Sequence, residues 1–244
     1  QFVKDWSIKR YKDQEENIWN KFEGLIAINQ KEFDYVKSIS NNNKQVTLVP
    51  MGIDLKKWSI DRVPAEPQRV GYYGGLASIH NQTDAMKCYE DIMPKVWEKY
   101  PETEFWIIGS NPPKVICDLQ QRDKRVHATG FIDEPWDILK TMSVMVLPWE
   151  GTYGFRSRII EMMALGLPII TTEQAIDGMN LSEVDGLLLA RGDADYSSHI
   201  LSLLNDYELN KEMGMKGRIR VNTIYNKEQS YDPLVKIINR LNIN

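Results

Sequence analysis

SVMVLPWEGTYGFRSRIIEMMALGLPIITTEQAIDG, Ser143 to Gly178, is the stretch on which the fold turns. Its apolar run Val144 to Leu147 stops at Pro148, and Gly151 and Gly154 then space a turn. A helical run follows and ends at Gly166, before a second apolar run from Pro168 to Thr171. This is a strand, loop, helix, strand unit. Both strands are apolar on both faces, as in a parallel sheet covered by helices, and the loop then falls at the C-terminal edge, where open α/β proteins bind ligands.

Arg156 and Arg158 fall at the end of that loop or in the first helical turn, beside backbone N–H groups without intrahelical partners, an arrangement that attracts anions. Glu161, three residues after Arg158, shares its helix face. A guanidinium for a phosphate and a carboxylate for hydroxyls would suit a phosphorylated, hydroxyl-bearing ligand. The same spacing also suits an ordinary surface ion pair between Arg158 and Glu161. The glycine loop after a buried strand favours the ligand.

Working outward, strand markers at Gly71, Phe105, Val126, Val144, Ile169 and Leu187 alternate with helical runs. They predict an α/β protein with a Rossmann-like, doubly wound parallel sheet of about six strands, preceded by a partial α/β segment. In that segment Tyr11 to Phe22 reads as a helix, Leu25 to Ile28 as a strand, Lys31 to Ile39 as a helix, Asn41 to Asn43 as a turn and Val46 to Val49 as a strand. Residues 59–68, with Pro64 and Pro67, read as a linker. Arg69 to Tyr73 reads as a strand followed by Gly74, Gly75 and a loop that includes His80, and Asp84 to Tyr100 as an amphipathic helix with Pro94 inside it. Gly109 ends the next strand. Gly130 precedes Phe131 and Ile132, where core packing is the plain reading for Phe131 and Trp136. Asp193 is placed as the cap of a helix through Leu204, and Glu208–Ile224 and Glu228–Leu241 read as helices.

The 244 residues, 42% of them apolar, suffice for a full core. A net charge of −4 without a basic run gives no sign of a nucleic-acid groove, and no apolar run reaches the length of a membrane span. Cys88 and Cys117 lack CxxC spacing and read as inert thiols of a cytosolic protein. No His/Cys/Asp cluster suggests a metal, and the absence of GxGxxG argues against a nicotinamide-linked oxidoreductase.

GTYGFRSRIIEMMALGLPIITT, residues 151–172, resembles the nucleotide-sugar-binding segment of the retaining glycosyltransferases with two Rossmann-like domains, the GT-B architecture, called family 4 or group 1. LVPMGID, residues 48–54, is similar to that family's "VVPNGVD" at the end of the acceptor-side domain, with Met51 in place of asparagine, and HNQTDA, residues 80–85, to its "PN-DA". The resemblance implies four parts: residues 1–58 as the tail of the N-terminal, acceptor-side domain, 59–68 as an interdomain linker, 69–224 as the nucleotide-sugar-binding domain, and 225–244 as a helix crossing back. A chain that begins at Gln1 and lacks most of the first domain reads as part of a longer or processed protein.

The same resemblance implies transfer of a sugar, with retention, from a UDP-, GDP- or dTDP-sugar to a hydroxyl of a carbohydrate or glycolipid acceptor in polysaccharide or glycoconjugate synthesis, with no cofactor required. Arg158 and Glu161 are its expected catalytic residues, holding diphosphate and ribose. The expected donor-binding set adds Gly74, Gly75, His80, Gly109, Phe131, Ile132, Tyr153, Gly154, Phe155, Arg156 and Ser157. The usual cations are absent at Gly75 and His80, and the usual earlier glutamate is Tyr153 here. The implied setting is cytoplasmic, with peripheral contact at the inner face of a membrane through the full-length protein. The chain alone is expected to bind nucleotide weakly and turn over little. A degenerate domain that binds nucleotide or a partner without turnover, and half of a sugar-nucleotide epimerase, remain as alternatives.

Overall fold

The computed structural model describes residues 2–40, 44–151 and 154–241. The expected turn at Asn41 to Asn43 and the position of Tyr153 lie outside the described residues. A small N-terminal unit consists of α1 (Phe2–Trp19), β1 (Gly24–Ala27), α2 (Gln30–Ile39), β2 (Gln45–Leu48) and α3 (Leu55–Trp58). Its two strands are parallel, with Leu25 opposite Val46. Asn29 caps α2 by accepting from the Glu32 N–H at 2.8 Å.

The larger unit runs through β3 (Arg69–Tyr73), α4 (Ile79–Lys87), a π-helical turn (Cys88–Ile92), α5 (Met93–Trp97), β4 (Glu104–Ile108), α6 (Lys114–Cys117), α7 (Leu119–Arg122), β5 (Val126–Ala128), α8 (Trp136–Leu139), β6 (Val144–Leu147), α9 (Ser157–Ala164), β7 (Ile169–Thr171), β8 (Leu187–Leu189), α10 (Asp193–Asn205), α11 (Tyr207–Ile224), α12 (Lys227–Ser230) and α13 (Asp232–Leu241). The six strands β3 to β8 form one parallel sheet in the order β5-β4-β3-β6-β7-β8, the expected doubly wound arrangement. Chain order reverses between β3 and β6, where Val70 lies opposite Val144, so the crevice above their C-terminal ends is the switch point. Val70, Tyr72, Phe105, Ile107, Val144, Leu147, Ile169 and Ile170 are buried, which accounts for strands without polar alternation.

Three readings change. The helix expected from Asp84 starts at Ile79, which moves His80 from the loop into the first helical turn. Pro94 lies inside it as expected: it removes an N–H, and the preceding turn widens so that the Met93 N–H donates to the Cys88 carbonyl. Asp193 is the first residue of α10, capped in position by Gly192, and its carboxylate pairs with Lys87 at 3.0 Å. Phe131 is 77% exposed rather than packed, whereas Trp136 packs edge-on against Trp58 at 5.4 Å.

Residues 59–68 carry neither helix nor strand, yet they are held in place. Val63 and Ala65 donate backbone hydrogen bonds to Lys140 and Thr141, and the Arg62 guanidinium bonds the carbonyls of Met142, Ser143 and Gly166. The C-terminal segment returns to the small unit. Ile53 and Asn226 form a parallel bridge, Lys227 pairs with Asp54 at 2.7 Å, and a Cβ at Gly52 would stand 2.5 Å from the Lys227 Cα, so only glycine allows that approach. Among the described residues no helix is long and apolar enough to cross a membrane.

Candidate functional site

Two glycine loops meet at the switch point. After β3, the Gly74 N–H donates to the Ile108 carbonyl at 3.0 Å and the Leu76 N–H to Ser110 at 2.9 Å, which zips this loop to the one after β4. Gly109 sits at φ +155°, and a Cβ there would be 1.8 Å from the Gly74 carbonyl oxygen. From α4, Asn81 donates to the Gly75 carbonyl and Gln82 to that of Leu76, both at 2.8 Å. The loop backbone is therefore fixed before any ligand arrives. His80, next to Asn81, is exposed on the same helical turn.

The turn after β6 is held from three sides. Gly151 and Gly154 take φ +78° and +65°. The Gly151 N–H donates to Gln174 Oε1 at 2.5 Å, and Thr172 Oγ1 donates to the Trp149 carbonyl. Arg156 folds back, donating from Nη2 to the carbonyls of Gly151 at 2.8 Å and Glu150 at 3.3 Å, with its guanidinium 4.9 Å from the Trp149 ring centre. Phe155 is anchored beside Tyr225, with ring centres 5.7 Å apart. Of the two expected phosphate cations, Arg156 thus shapes the turn.

Arg158, in the first turn of α9, lies with its guanidinium 5.0 Å from the Tyr73 ring centre. Its Nη2 is 3.5 Å from where a Cβ at Gly75 would stand, so the guanidinium reaches across the crevice to the first glycine loop. Among the described residues no ion pair joins it to Glu161, and the plain surface-pair reading of their spacing does not hold. Burial pushes the Glu161 carboxyl above the ordinary range, against the opposing pull of Arg158 and of the Ser157 and Tyr73 hydroxyls. Gly74, Gly75, Gly109, Ser157, Arg158 and Glu161 therefore come to one crevice from the loops after β3 and β4 and from the start of α9, while Gly154 lies in the turn before that helix. Phe131 and Ile132 stand beyond the end of β5, two strands out from β3, with Phe131 open to solvent and Ile132 against the core.

Two residues outside the expected set belong to the crevice. Tyr73 ends β3 between Arg158 and Glu161, and burial raises its hydroxyl above the ordinary phenol range. Asp84, on α4, is pushed up to about 6, first by burial and then by Glu150, while Arg156, His80 and Lys87 act to lower it. A raised folded-state value means that Asp84 contributes stability that is complete below the unfolded carboxylate pKa and lost as pH rises through about 6. Asp84→Asn is therefore expected to melt higher than the parent at neutral pH, the difference vanishing below about pH 4. Thermal melts of both proteins across that range check it, and a difference independent of pH would contradict it.

Among the described residues no group of three or more His, Cys, Asp or Glu is placed to hold a metal ion. The charges offered to a ligand in the crevice belong to protein side chains, with the N-terminus of α9 beside them.

The family model described as "Glycosyl transferases group 1" matches residues 67–206. The capsular polysaccharide biosynthesis glycosyltransferase CapM of Staphylococcus aureus is 24% identical over 237 residues, covering 88% of this chain and 61% of CapM. The chain thus spans about three fifths of that relative's length. Among solved structures, sucrose-phosphate synthase from Thermosynechococcus elongatus aligns with TM-score 0.74 at 21% identity, over 93% of this chain and 60% of its own. The pneumococcal O-GlcNAc transferase GtfA, in complex with UDP and GlcNAc, aligns with TM-score 0.76 at 14% identity, over 96% and 48%. Anabaena HepE, in complex with UDP and glucose, gives 0.70 at 12% identity, over 91% and 65%. The doubly wound sheet is the one these proteins share, and with the family model matching more than half of its length the chain belongs to the group 1 glycosyl transferases.

Proposed function

We propose that the crevice binds a nucleoside diphosphate sugar, with UDP as the favoured nucleotide, and that the protein transfers the sugar with retention to a hydroxyl of a carbohydrate or glycolipid acceptor. The observation that carries this reading is the Arg158 guanidinium, which makes no ion pair among the described residues and is held between Tyr73 and Gly75 above the switch point. Relatives whose structures are described with UDP support the choice of base, as CapM supports a role in polysaccharide synthesis. The costly step is departure of the diphosphate, as negative charge grows on the leaving oxygen. Arg158, loop N–H groups and the start of α9 are fixed beforehand where that charge would develop. Glu161 would accept hydrogen bonds from ribose hydroxyls, and Phe131 and Ile132 would border the base.

The four-part division at residues 58, 68 and 224 is part of this proposal, as are an acceptor site completed by further N-terminal domain structure, work at the inner face of a membrane, and weak binding by this chain alone. Calorimetric titration with UDP, GDP and dTDP tests it. Saturable binding of one nucleotide is expected, weakened roughly 10- to 100-fold by Glu161→Gln, the cost of a lost charged hydrogen bond. Binding that ignores this substitution would remove Glu161 from the site.

The same variant carries an independent expectation. Burial raises the folded-state pKa of Glu161, so its contribution to stability is complete below the unfolded value and lost as pH rises through the folded one. At pH above that folded-state value an ionised carboxylate is kept largely out of water. There Glu161→Gln should raise the melting temperature of the ligand-free chain while weakening nucleotide binding. A lower melting temperature would mean that the carboxylate is needed for the fold.

A further inference from the structure

The opposite edge of the sheet holds cationic side chains for which the proposed donor chemistry has no use. There a cavity of about 440 Å³ opens below the starts of β6 and β7, between the 59–68 segment and one face of α11. That volume lies within the ordinary range of small-ligand sites. Arg62 lines it. The four hydrogen bonds from its Nη atoms end on neutral oxygens: Gly166 O and Asn210 Oδ1 at 3.0 Å, Ser143 O at 3.1 Å and Met142 O at 3.3 Å. Its Nε is buried without an acceptor. Lys211, one helical step along from Asn210, also lines the cavity, and among the described residues neither Arg62 nor Lys211 is in an ion pair. Arg218 completes the wall. Among the described residues its carboxylate partner is Asp61, at 3.0 Å and 95% exposed.

A guanidinium withdrawn from water is costly unless a counter-charge compensates it, and carbonyl dipoles supply only part of that compensation. Burial accordingly lowers the Arg62 pKa to about 10. We propose that this cavity is a second ligand site, taking a small oxyanion of the phosphate or carboxylate class between Arg62 and Lys211. The site is separate from the donor crevice, since Met142, Ser143 and Gly166 precede the strands whose far ends carry the donor loops.

The test is titration of Arg158→Ala, which disables the donor crevice, with inorganic pyrophosphate and with citrate. Calorimetry is combined with the ¹⁵Nε resonance of Arg62, which reads the site itself and needs no Arg62 variant that could fail to fold. The expected result is a single saturating site for one of the two anions, which names the class, with a dissociation constant below about 1 mM. The Arg62 resonance should move in step, and Lys211→Ala should weaken binding about tenfold. Three outcomes overturn the proposal: no saturation by either anion, binding present in the parent and lost in Arg158→Ala, or saturation with the Arg62 resonance unmoved or the affinity unchanged by Lys211→Ala.

Discussion

Arg158→Ala is expected to reduce sugar transfer by the full-length protein about 10²- to 10³-fold, the usual effect of removing one preorganised stabiliser of developing negative charge. The loss should fall on kcat as well as on donor affinity, because the charge on the leaving diphosphate grows toward the transition state. The stability cost should be small and limited to the pH range in which Glu161 is ionised, because the guanidinium favours that buried carboxylate. Arg158 makes no ion pair among the described residues and lies against the Tyr73 ring and the edge of Gly75. Arg156→Ala should behave differently. Its guanidinium bonds the Glu150 and Gly151 carbonyls and lies over Trp149, so its removal loosens the turn and lowers stability along with activity. Arg158→Lys should recover only part of the rate, since a single ammonium cannot present a planar fork to two phosphate oxygens. Activity assays and thermal melts on the three variants separate the roles. Near-parental transfer by Arg158→Ala would end the assignment of the diphosphate to this residue.

That division of labour between the two arginines was not legible in the sequence, where both stand at the same loop end. The strands and helices were legible where composition acts locally: Val144 to Leu147 and Ile169 to Thr171 are apolar on both faces, and glycines or prolines bound each run. Alternation of strands and helices, with right-handed crossovers, then gives the doubly wound order. What local pattern misreads is polar residues whose partners are distant in sequence or on an adjacent loop. Asn81 and Gln82 look like loop residues, yet they sit in α4 because their amides satisfy the carbonyls of Gly75 and Leu76. Residues 59–68 read as a linker because of Pro64 and Pro67, and sequence does not show that Arg62 there reaches carbonyls 80 to 104 residues away. Tyr73 and Asp84 passed as the end of a strand and the start of a helix. Their tertiary neighbours reveal the role: Tyr73 interacts with Arg158 and Glu161, and Asp84 with Arg156, Glu150 and His80.

Gly109→Ala tests the close approach of the two glycine loops. At φ +155° a side chain is strained by about 1–3 kcal/mol. A Cβ 1.8 Å from the Gly74 oxygen cannot be accommodated without driving the β3 and β4 loops apart. Such overpacking against backbone costs about another 1–3 kcal/mol. Separation would also endanger the Gly74 to Ile108 and Leu76 to Ser110 hydrogen bonds, each worth about 1 kcal/mol. The expected loss is therefore about 2–6 kcal/mol, rising to about 8 if both hydrogen bonds go, a large share of the about 5–15 kcal/mol that holds a domain folded. Any folded fraction should bind nucleotide poorly, because Gly75 would no longer stand beside Arg158. Gly130→Ala supplies the control. Its φ of +72° also favours glycine, but nothing lies within 4 Å of an added Cβ, so it should lose only the about 1–2 kcal/mol of left-handed strain. Denaturant unfolding of the two variants isolates the steric part. Equal losses would mean that the loop after β4 yields without disturbing Gly74, and that the two glycine loops are not held as one unit.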